Sequence, residues 1–79
     1  MDRNSVFETV KKYILDQLPI APEKVTEDAA MVEDLGADSA NLMMLIMDLE
    51  EAFGMTVEDE ALGTIKTVGD IVDYIQKRI

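Results

Sequence analysis

Ser39 is the residue of this chain whose type and position could support chemistry. It follows the run Asp34-Leu35-Gly36-Ala37-Asp38 and stands where a loop gives way to a strongly amphipathic segment, which predicts a helix. The N-terminus of a helix leaves backbone N–H groups without intrahelical partners and carries the positive end of the helix dipole. A phosphate ester on the Ser39 oxygen would therefore be held favourably at this position.

The missing residue types restrict what a serine could do here. The chain has no His and no Cys, which excludes Ser-His-Asp and Cys-His nucleophilic sites, zinc sites with nitrogen or sulfur ligands, and disulfides. Ser39 therefore has no conventional general base in its own chain. The sequence predicts a protein that is not itself an enzyme, and the lack of disulfides fits a cytoplasmic location.

Charge is strongly negative and unevenly spread. The chain has 17 acidic and 7 basic residues, for a net charge of -10, and no Lys or Arg lies between Thr26 and Ile65. Binding to nucleic acid or to an anionic membrane surface requires clusters of basic residues, so neither is expected. Because the acidic stretch surrounds Ser39, we interpret it as an electrostatic surface for basic partner proteins. The alternative is an ordinary solvated acidic surface.

Capping boxes and apolar periodicity predict the first and the last of three main helices. In the first, Ser5 is predicted as the N-cap with Glu8 three residues later, and Pro19 ends the apolar run. In the last, Thr67 and Asp70 form a second capping box. The apolar positions at helical spacing are Val6, Phe7, Val10, Ile14 and Leu18 in the first helix, and Val68, Ile71, Val72, Ile75 and Ile79 in the last.

The rest of the chain predicts a middle helix, a short helix and a long ordered loop. The middle helix begins at Asp38 or Ser39 and ends near Phe53, and residues 58–62 predict one or two short helical turns. The connection over 18–37 is long, but its apolar residues should fix it on a core; they are Ile20, Val25, Met31, Val32 and Leu35. The expected fold is all-α, a four-helix bundle of three main helices and one short helix.

The middle helix has two apolar sectors on a helical wheel. The sector predicted to face the core contains Leu42, Leu45, Ile46, Leu49 and Phe53. The adjacent sector, predicted to be exposed, contains Ser39, Ala40, Met43, Met44, Met47, Glu50 and Glu51. Methionine adapts to differently shaped partners, so we interpret the second sector as a docking face. The alternative is that Met43, near the border, simply extends the core.

Three stretches of the sequence carry a family resemblance: Asp34–Ser39, Asp48–Phe53 and Ile65–Ile75. Together with the length, the acidity and the helix order, they resemble the acyl carrier proteins, and most closely the free-standing bacterial type used in dissociated fatty acid synthesis. The resemblance covers nearly the whole chain. It implies a single phosphopantetheine-binding carrier domain over residues 1–79.

The resemblance further implies that Ser39, next to Asp38, carries a 4′-phosphopantetheine arm that a separate phosphopantetheinyl transferase supplies from coenzyme A. Acyl intermediates of fatty acid biosynthesis would be carried as thioesters on this arm. By position, an acyl cavity would be lined by Ile46, Leu49, Leu62, Ile65 and Val72. The basic patches of acyl-processing enzymes would contact Glu50 and Glu51, with Asp38, Asp59 and Glu60 in support. The docking face predicted from the helical wheel adds Ala40, Met43, Met44 and Met47 to the partner-binding residues. The protein is expected to be a monomer.

The sequence departs from the family pattern at four positions. Ala40 replaces the Leu that usually follows the serine, and Met44 stands where fatty acid carriers commonly place an acid. Leu42 and Leu62 are bulkier than usual and would narrow the cavity or its entrance. Two alternatives therefore stay open: a carrier for a dedicated polyketide, nonribosomal or lipid-modification pathway, and an acidic helical interaction module without a prosthetic group. A calcium-binding protein is disfavoured because no segment matches the EF-hand pattern.

Overall fold

The computed structural model describes residues 2–79. The helices are α1 (Arg3–Gln17), α2 (Ser39–Phe53), α3 (Asp59–Leu62) and α4 (Val68–Gln76), with a 3₁₀ turn at Pro22–Lys24. The single β-type contact found in this range is an isolated bridge between Ala30 and Thr67. The predicted all-α fold of three main helices and one short helix is confirmed. Within the same range, no helix is both long and apolar enough to cross a membrane.

Helix α1 begins three residues before the predicted position. Asp2 is its N-cap, and the Asp2 carboxylate accepts a hydrogen bond of 2.8 Å from the N–H of Ser5. The prediction of Ser5 as the N-cap, with Glu8 completing a capping box, is therefore wrong. An aspartate three residues upstream is an equally good cap, and it leaves Ser5 inside the first helical turn.

The core lies where α1, α2, α4 and the long loop meet. Its buried side chains are Val6, Val10, Ile14, Leu18, Val25, Ala29, Met31, Leu35, Ala37, Leu45, Ile46, Leu49, Ile65, Val68, Ile71, Val72 and Ile75. Two residues predicted to face it do not, since Val32 is 61% exposed and Ile79 is 49% exposed. α4 ends at Gln76, so helical spacing no longer applies at Ile79. Val32 lies on the outer side of a tight turn.

Backbone hydrogen bonds join the long loop to the start of α4. Their donors and acceptors are Met31 N–H to Lys66 C=O at 2.9 Å, Val68 N–H to Ala29 C=O at 3.0 Å, and Gly69 N–H to Glu27 C=O at 2.9 Å. A Cβ atom at position 69 would lie only 3.0 Å from the Glu27 carbonyl oxygen. Glycine at this position therefore allows the two backbones to approach closely.

Arg3 connects three parts of the same junction. Its guanidinium lies 2.5 Å from a carboxylate oxygen of Glu27 in the loop and 2.5 Å from one of Asp73 on α4. The hydrogen bonds to Glu27 and then to Asp73 raise the pKa of Arg3. These pairs are partly exposed, so each contributes modestly to stability. Their main effect is to fix the start of α1 against the loop and α4.

Side chains from α2 and α4 hold the segment around α3. The Glu50 carboxylate accepts a hydrogen bond of 2.7 Å from the N–H of Val57. The Tyr74 hydroxyl accepts one of 3.3 Å from the N–H of Glu58, the residue before α3. The N-cap position of α3 has no side-chain hydrogen bond of its own. This short helix therefore depends on its neighbours for its position.

Candidate functional site

The loop over residues 30–38, called here the motif loop, fixes the start of α2. The Asp34 carboxylate accepts a hydrogen bond of 2.8 Å from the N–H of Ala30, which closes the loop on itself. Gly36 has a φ of 76°, a left-handed conformation that glycine adopts without strain. Leu35 and Ala37 on either side are buried and hold the loop on the core. Each residue of the sequence motif before Asp38 thus has a structural task.

Asp38 caps α2 through a reciprocal pair of hydrogen bonds with Asn41. Its carboxylate accepts a bond of 2.8 Å from the Asn41 N–H, and its own N–H donates to the Asn41 side-chain oxygen at 3.2 Å. Sequence reasoning missed Asn41, although its position three residues after an N-cap is the signal for such a box. The Asp38 side chain therefore stabilises the start of α2.

Ser39 is the first residue of α2 and is exposed. Within residues 2–79, its hydroxyl makes no hydrogen bond, and the N–H groups of Ser39 and Ala40 have no backbone acceptor. Two free donors at the positive end of the helix dipole favour an anionic group bonded to this oxygen. The site therefore fits a phosphate ester, with its alcohol accessible to another protein.

The methionine face consists of Met43, Met44 and Met47, and its predicted exposure is confirmed. The exposed fractions are 49%, 58% and 62%, respectively. The opposite sector, with Leu45, Ile46 and Leu49, is buried. Met43 does not extend the core as the alternative interpretation supposed. These three neighbouring exposed methionines form an adaptable apolar surface on the helix that begins at Ser39.

The acidic residues predicted to contact partners differ in their surroundings. Glu50 is half-buried, and its carboxylate is occupied by the hydrogen bond from Val57. Glu51, Asp59 and Glu60 are exposed. Glu50 thus has a structural role that the sequence did not indicate, because the donor to its carboxylate is a backbone N–H seven residues away in an irregular segment. The other three carboxylates remain accessible.

The predicted acyl cavity corresponds to a very small interior space. This interior cavity has a volume of about 10 Å³. Three of the predicted residues line it, namely Ile46, Leu49 and Ile65, and they are joined by Met55, Val57, Ile71, Tyr74 and Ile75. A space of this size is at the lower limit for a single water molecule. The fold as it stands leaves no room for an acyl chain.

Two of the residues predicted to line that space do not. Val72 is fully buried, but it is one position from Ile71 on α4 and therefore points about 100° away from the interior cavity. Leu62 is half-buried at the end of the short α3 and packs on the edge of the core. Sequence position alone could not distinguish Val72 from Ile71, because both face apolar surroundings.

A larger space lies on the surface between the motif loop and the residues before α4. This surface groove has a volume of about 260 Å³, and its lining includes Met31, Val32, Glu33, Leu42, Ile65 and Lys66. The bond from the Met31 N–H to the Lys66 carbonyl brings its two sides together. Sequence reasoning missed the groove because it forms only when these distant segments meet.

Comparisons with known proteins agree with this geometry. The profile of the family described as phosphopantetheine attachment site matches residues 8–75. The acyl carrier protein of Thermotoga maritima is 47% identical over 77 residues, covering 98% of this chain and 95% of that protein. That of Thermosynechococcus vestitus is 43% identical over 79 residues, covering 100% and 98%. The solved structure of the acyl carrier protein from Enterococcus faecalis has a TM-score of 0.83 and 37% identity, with both chains covered completely.

These matches extend over almost the entire chain and include the motif loop and all four helices. Proteins of this kind are carriers rather than enzymes, and they work with phosphopantetheinyl transferases and acyl-processing enzymes. Their prosthetic group is 4′-phosphopantetheine, which the exposed serine at the start of α2 fits. The chain belongs to the acyl carrier proteins.

Proposed function

We propose that Ser39 carries the 4′-phosphopantetheine arm and that residues 1–79 act as one carrier domain for acyl thioesters. The observation that supports this most directly is the exposed Ser39 hydroxyl at the capped start of α2. The cytoplasm is the proposed location. Fatty acid biosynthesis is the proposed pathway, since relatives at 47% and 43% identity are named simply as acyl carrier proteins.

The chain's own contribution is to position the arm and to stabilise its charge. Ser39 supplies the alcohol oxygen, and the phosphodiester formed there lies close to the free N–H groups of Ser39 and Ala40. Asp38 and Asn41 fix the first helical turn, so the attachment point does not move relative to α2. When bound, the arm supplies a thiol that forms thioesters. Because the chain has no Cys, no protein thiol competes for the acyl group.

Partner enzymes would dock on the face of α2 that follows the attachment site. Ala40 and the methionine face give an adaptable apolar surface, and the accessible carboxylates around it are Glu51, Asp59 and Glu60. Basic patches on partners complement these acids and accelerate encounter. Glu50 contributes to the same negative field while it holds Val57. The net charge of -10 disfavours self-association, so we propose a monomer.

A second candidate is a carrier for a dedicated polyketide, nonribosomal or lipid-modification pathway. Met44 favours it, because this methionine is 58% exposed at a position where fatty acid carriers commonly have an acid. Loss of that charge would weaken recognition by enzymes that depend on it. The acyl species isolated from cells would distinguish the two pathways by mass.

Intact-mass measurement tests the attachment site. We expect the protein, incubated with coenzyme A, Mg²⁺ and a broad-range phosphopantetheinyl transferase, to gain the mass of one 4′-phosphopantetheine group. Ser39→Ala should abolish the gain without loss of helicity, because the side chain is exposed. Ser5→Ala, at the one other serine of the chain, is the matched control and should be modified normally.

Two results would contradict this assignment. A mass gain that persists in Ser39→Ala would place the arm elsewhere. No gain in the unmutated protein would favour the acidic interaction module without a prosthetic group.

A further inference from the structure

The interior cavity is apolar, but the closed fold leaves it too small for cargo. It holds about 10 Å³, and Ile46 is one of the residues that line it. Ile46 lies seven residues after Ser39, close to two helical turns and about 10 Å along the axis of α2. An arm on Ser39 spans this distance, so an acyl chain carried on it can reach the cavity. To enter, the chain has to displace part of the wall, because a tightly packed interior does not admit extra methylene groups.

The sides of the interior cavity differ in how firmly they are held. Leu49 on α2 and the lining residues Ile71 and Ile75 on α4 are each at most 2% exposed. Met55 and Val57, which line the cavity from the segment between α2 and α3, are only half-buried. We call residues 55–57 the cavity wall. Because its lining side chains are less buried than those of the helices, this wall is expected to open at the lowest free-energy cost.

Glu50 accepts two hydrogen bonds that attach the cavity wall to α2. Its backbone carbonyl accepts one of 3.0 Å from the Met55 N–H, and its carboxylate accepts one of 2.7 Å from the Val57 N–H. The Met55 bond belongs to the turn that ends the helix, where the Gly54 N–H shares the same acceptor. The Val57 bond reaches from a side chain to the far end of the wall, so it is the bond that breaks when the wall moves away from α2. Hydrogen bonds to a carboxylate are stronger than those between neutral groups, which makes this bond an effective restraint on opening.

We propose that Glu50 is a positioning residue that keeps the cavity wall closed in the empty carrier, and that entry of an acyl chain breaks its bond to Val57. The carboxylate that closes the empty protein is then released on α2, the helix on which partners are proposed to dock. Empty and loaded carriers would therefore differ in the accessibility of one carboxylate. This inference rests on the proposed attachment at Ser39, and it deepens that function by naming the residue that links cargo to docking.

Release of Glu50 changes what a basic partner meets. In the closed fold, one oxygen of its carboxylate is occupied by the Val57 N–H, whereas Glu51, Asp59 and Glu60 are exposed. Once the wall has opened, both oxygens of Glu50 are free to accept hydrogen bonds from a Lys or Arg of the partner. By linkage, a partner cation that pairs with the free carboxylate favours the same open wall. An open wall allows the acyl chain to pass in either direction.

Amide hydrogen exchange of the loaded protein tests whether cargo breaks the bond. Two forms would be compared, one with the arm alone and one with an octanoyl group joined to the arm through an amide, and intact mass would establish the loading of each. We expect the Val57 N–H to exchange roughly 10- to 100-fold faster in the octanoyl form, because a hydrogen bond to a charged group is lost. The Ala37 N–H, which donates to the Met31 carbonyl, should exchange at the same rate in both forms.

Substitutions separate the hydrogen bond from the charge. Glu50→Ala removes the acceptor, so the Val57 N–H should exchange roughly 10- to 100-fold faster with the arm alone, and octanoylation should add little. Glu50→Gln keeps an acceptor oxygen without the charge and should give an intermediate rate. Glu51→Ala is the matched control, since it removes the same charge from an exposed position one residue along α2. It should leave the response of Val57 to octanoylation unchanged.

Carboxyl labelling with a water-soluble carbodiimide and an amine tests the release of Glu50 in the unmutated protein. Glu50 should be labelled faster in the octanoyl form than with the arm alone, whereas Glu51 should be labelled at the same rate in both. Unchanged exchange at Val57 or unchanged labelling at Glu50 in a protein that carries octanoyl on Ser39 would overturn the role of Glu50 and leave the carrier function intact. Equal effects of Glu50→Ala and Glu51→Ala would do the same. Failure to load Ser39 would overturn the proposed function and this inference with it.

Discussion

The segments on either side of α2 differ in the interactions that hold them in place. Residues 25–38 contain no α-helix, yet five of their side chains are buried: Val25, Ala29, Met31, Leu35 and Ala37. Residues 54–64, all of them described, contain α3, yet none of their side chains is buried to the same degree. The first segment is bonded to α4 through its backbone, whereas the second is held mainly by the carboxylate of Glu50 and the hydroxyl of Tyr74.

In this fold, burial and long-range hydrogen bonds, rather than helical geometry, distinguish the strongly anchored segment from the weakly anchored one. The segment before α2 leads directly to Ser39, the proposed attachment site, and its loop is anchored to α4 by backbone hydrogen bonds. The segment after α2 covers the interior cavity from the solvent side. Because this segment has few buried contacts, it can move away from the cavity at a low free-energy cost.

Hydrogen exchange should give the largest contrast between the two segments. The N–H of Met31 donates to the Lys66 carbonyl and that of Ala37 to the Met31 carbonyl, and both residues are buried. The N–H groups of Ala61 and Thr64 are bonded within α3 and its end. We expect exchange at the first pair to be at least about a hundredfold slower, since it requires opening of the core. Similar rates at both pairs would invalidate the comparison.

Truncation of one leucine in each segment should give the next largest effect. Leu35 is 3% exposed in the motif loop, and Leu35→Ala should lower the free energy of unfolding by about 2–5 kcal/mol. Leu62 in α3 is half-buried, and Leu62→Ala should cost roughly 1 kcal/mol. Urea denaturation measures both. A larger loss for Leu62→Ala would reverse the ranking of the segments.

Asp70 makes the junction of the motif loop with α4 sensitive to pH. Hydrogen bonds from the N–H of Lys66, and then from that of Thr67, lower the pKa of this carboxyl. A folded-state pKa below the unfolded one means that the stabilisation is present above about pH 4 and is lost as the pH falls through the folded value. Asp70→Asn should therefore cost about 1 kcal/mol at pH 7, and less at pH 3.

Thr67→Ala provides the control for that experiment. The Thr67 hydroxyl oxygen accepts a hydrogen bond of 3.1 Å from the N–H of Asp70, and this hydroxyl does not titrate. Its loss should cost a similar free energy at both pH values. A cost for Asp70→Asn that is equally independent of pH would refute the proposed role of the carboxylate charge.

A substitution on α2 itself should disturb neither segment. Met44 is 58% exposed, so Met44→Glu should change the free energy of unfolding by less than about 0.5 kcal/mol. The added charge should nevertheless alter which acyltransferases or synthases accept the protein. Leu45→Glu, one residue along but buried, is the contrasting variant and should be severely destabilised. Strong destabilisation by Met44→Glu would show that the methionine face is not exposed to solvent.

Periodicity identified the helices because that signal is local to each segment. The buried stripe of α2 and the exposure of Met44 and Met47 both follow from spacing along one helix. The same approach failed at Val32, whose orientation depends on how the loop folds against α4 rather than on any repeat. It also missed the cap at Asp2, since two plausible capping residues lie within one turn.

The interior cavity was predicted less well than the helices for a different reason. Its lining depends on the rotation of α4 and on the path of the chain beyond α2. Ile71 and Val72 are adjacent and both apolar, and only the packing of α4 shows which one faces the cavity. Met55 and Val57 belong to an irregular segment without periodicity. The position of Ser39 at the start of α2 could be predicted from the sequence because its motif is contiguous.

Tyr74 gives the molecule an intrinsic optical reporter. The chain has no Trp and two Tyr, and Tyr74 borders the interior cavity, accepts the hydrogen bond from Glu58 and stacks against Arg78, with 3.7 Å between the guanidinium carbon and the ring centre. Displacement of α3 would break the hydrogen bond between the Glu58 N–H and the Tyr74 hydroxyl and expose the ring to solvent. The ultraviolet fluorescence of Tyr74 would change when α3 moves away. Opening of this segment can therefore be followed in unlabelled protein.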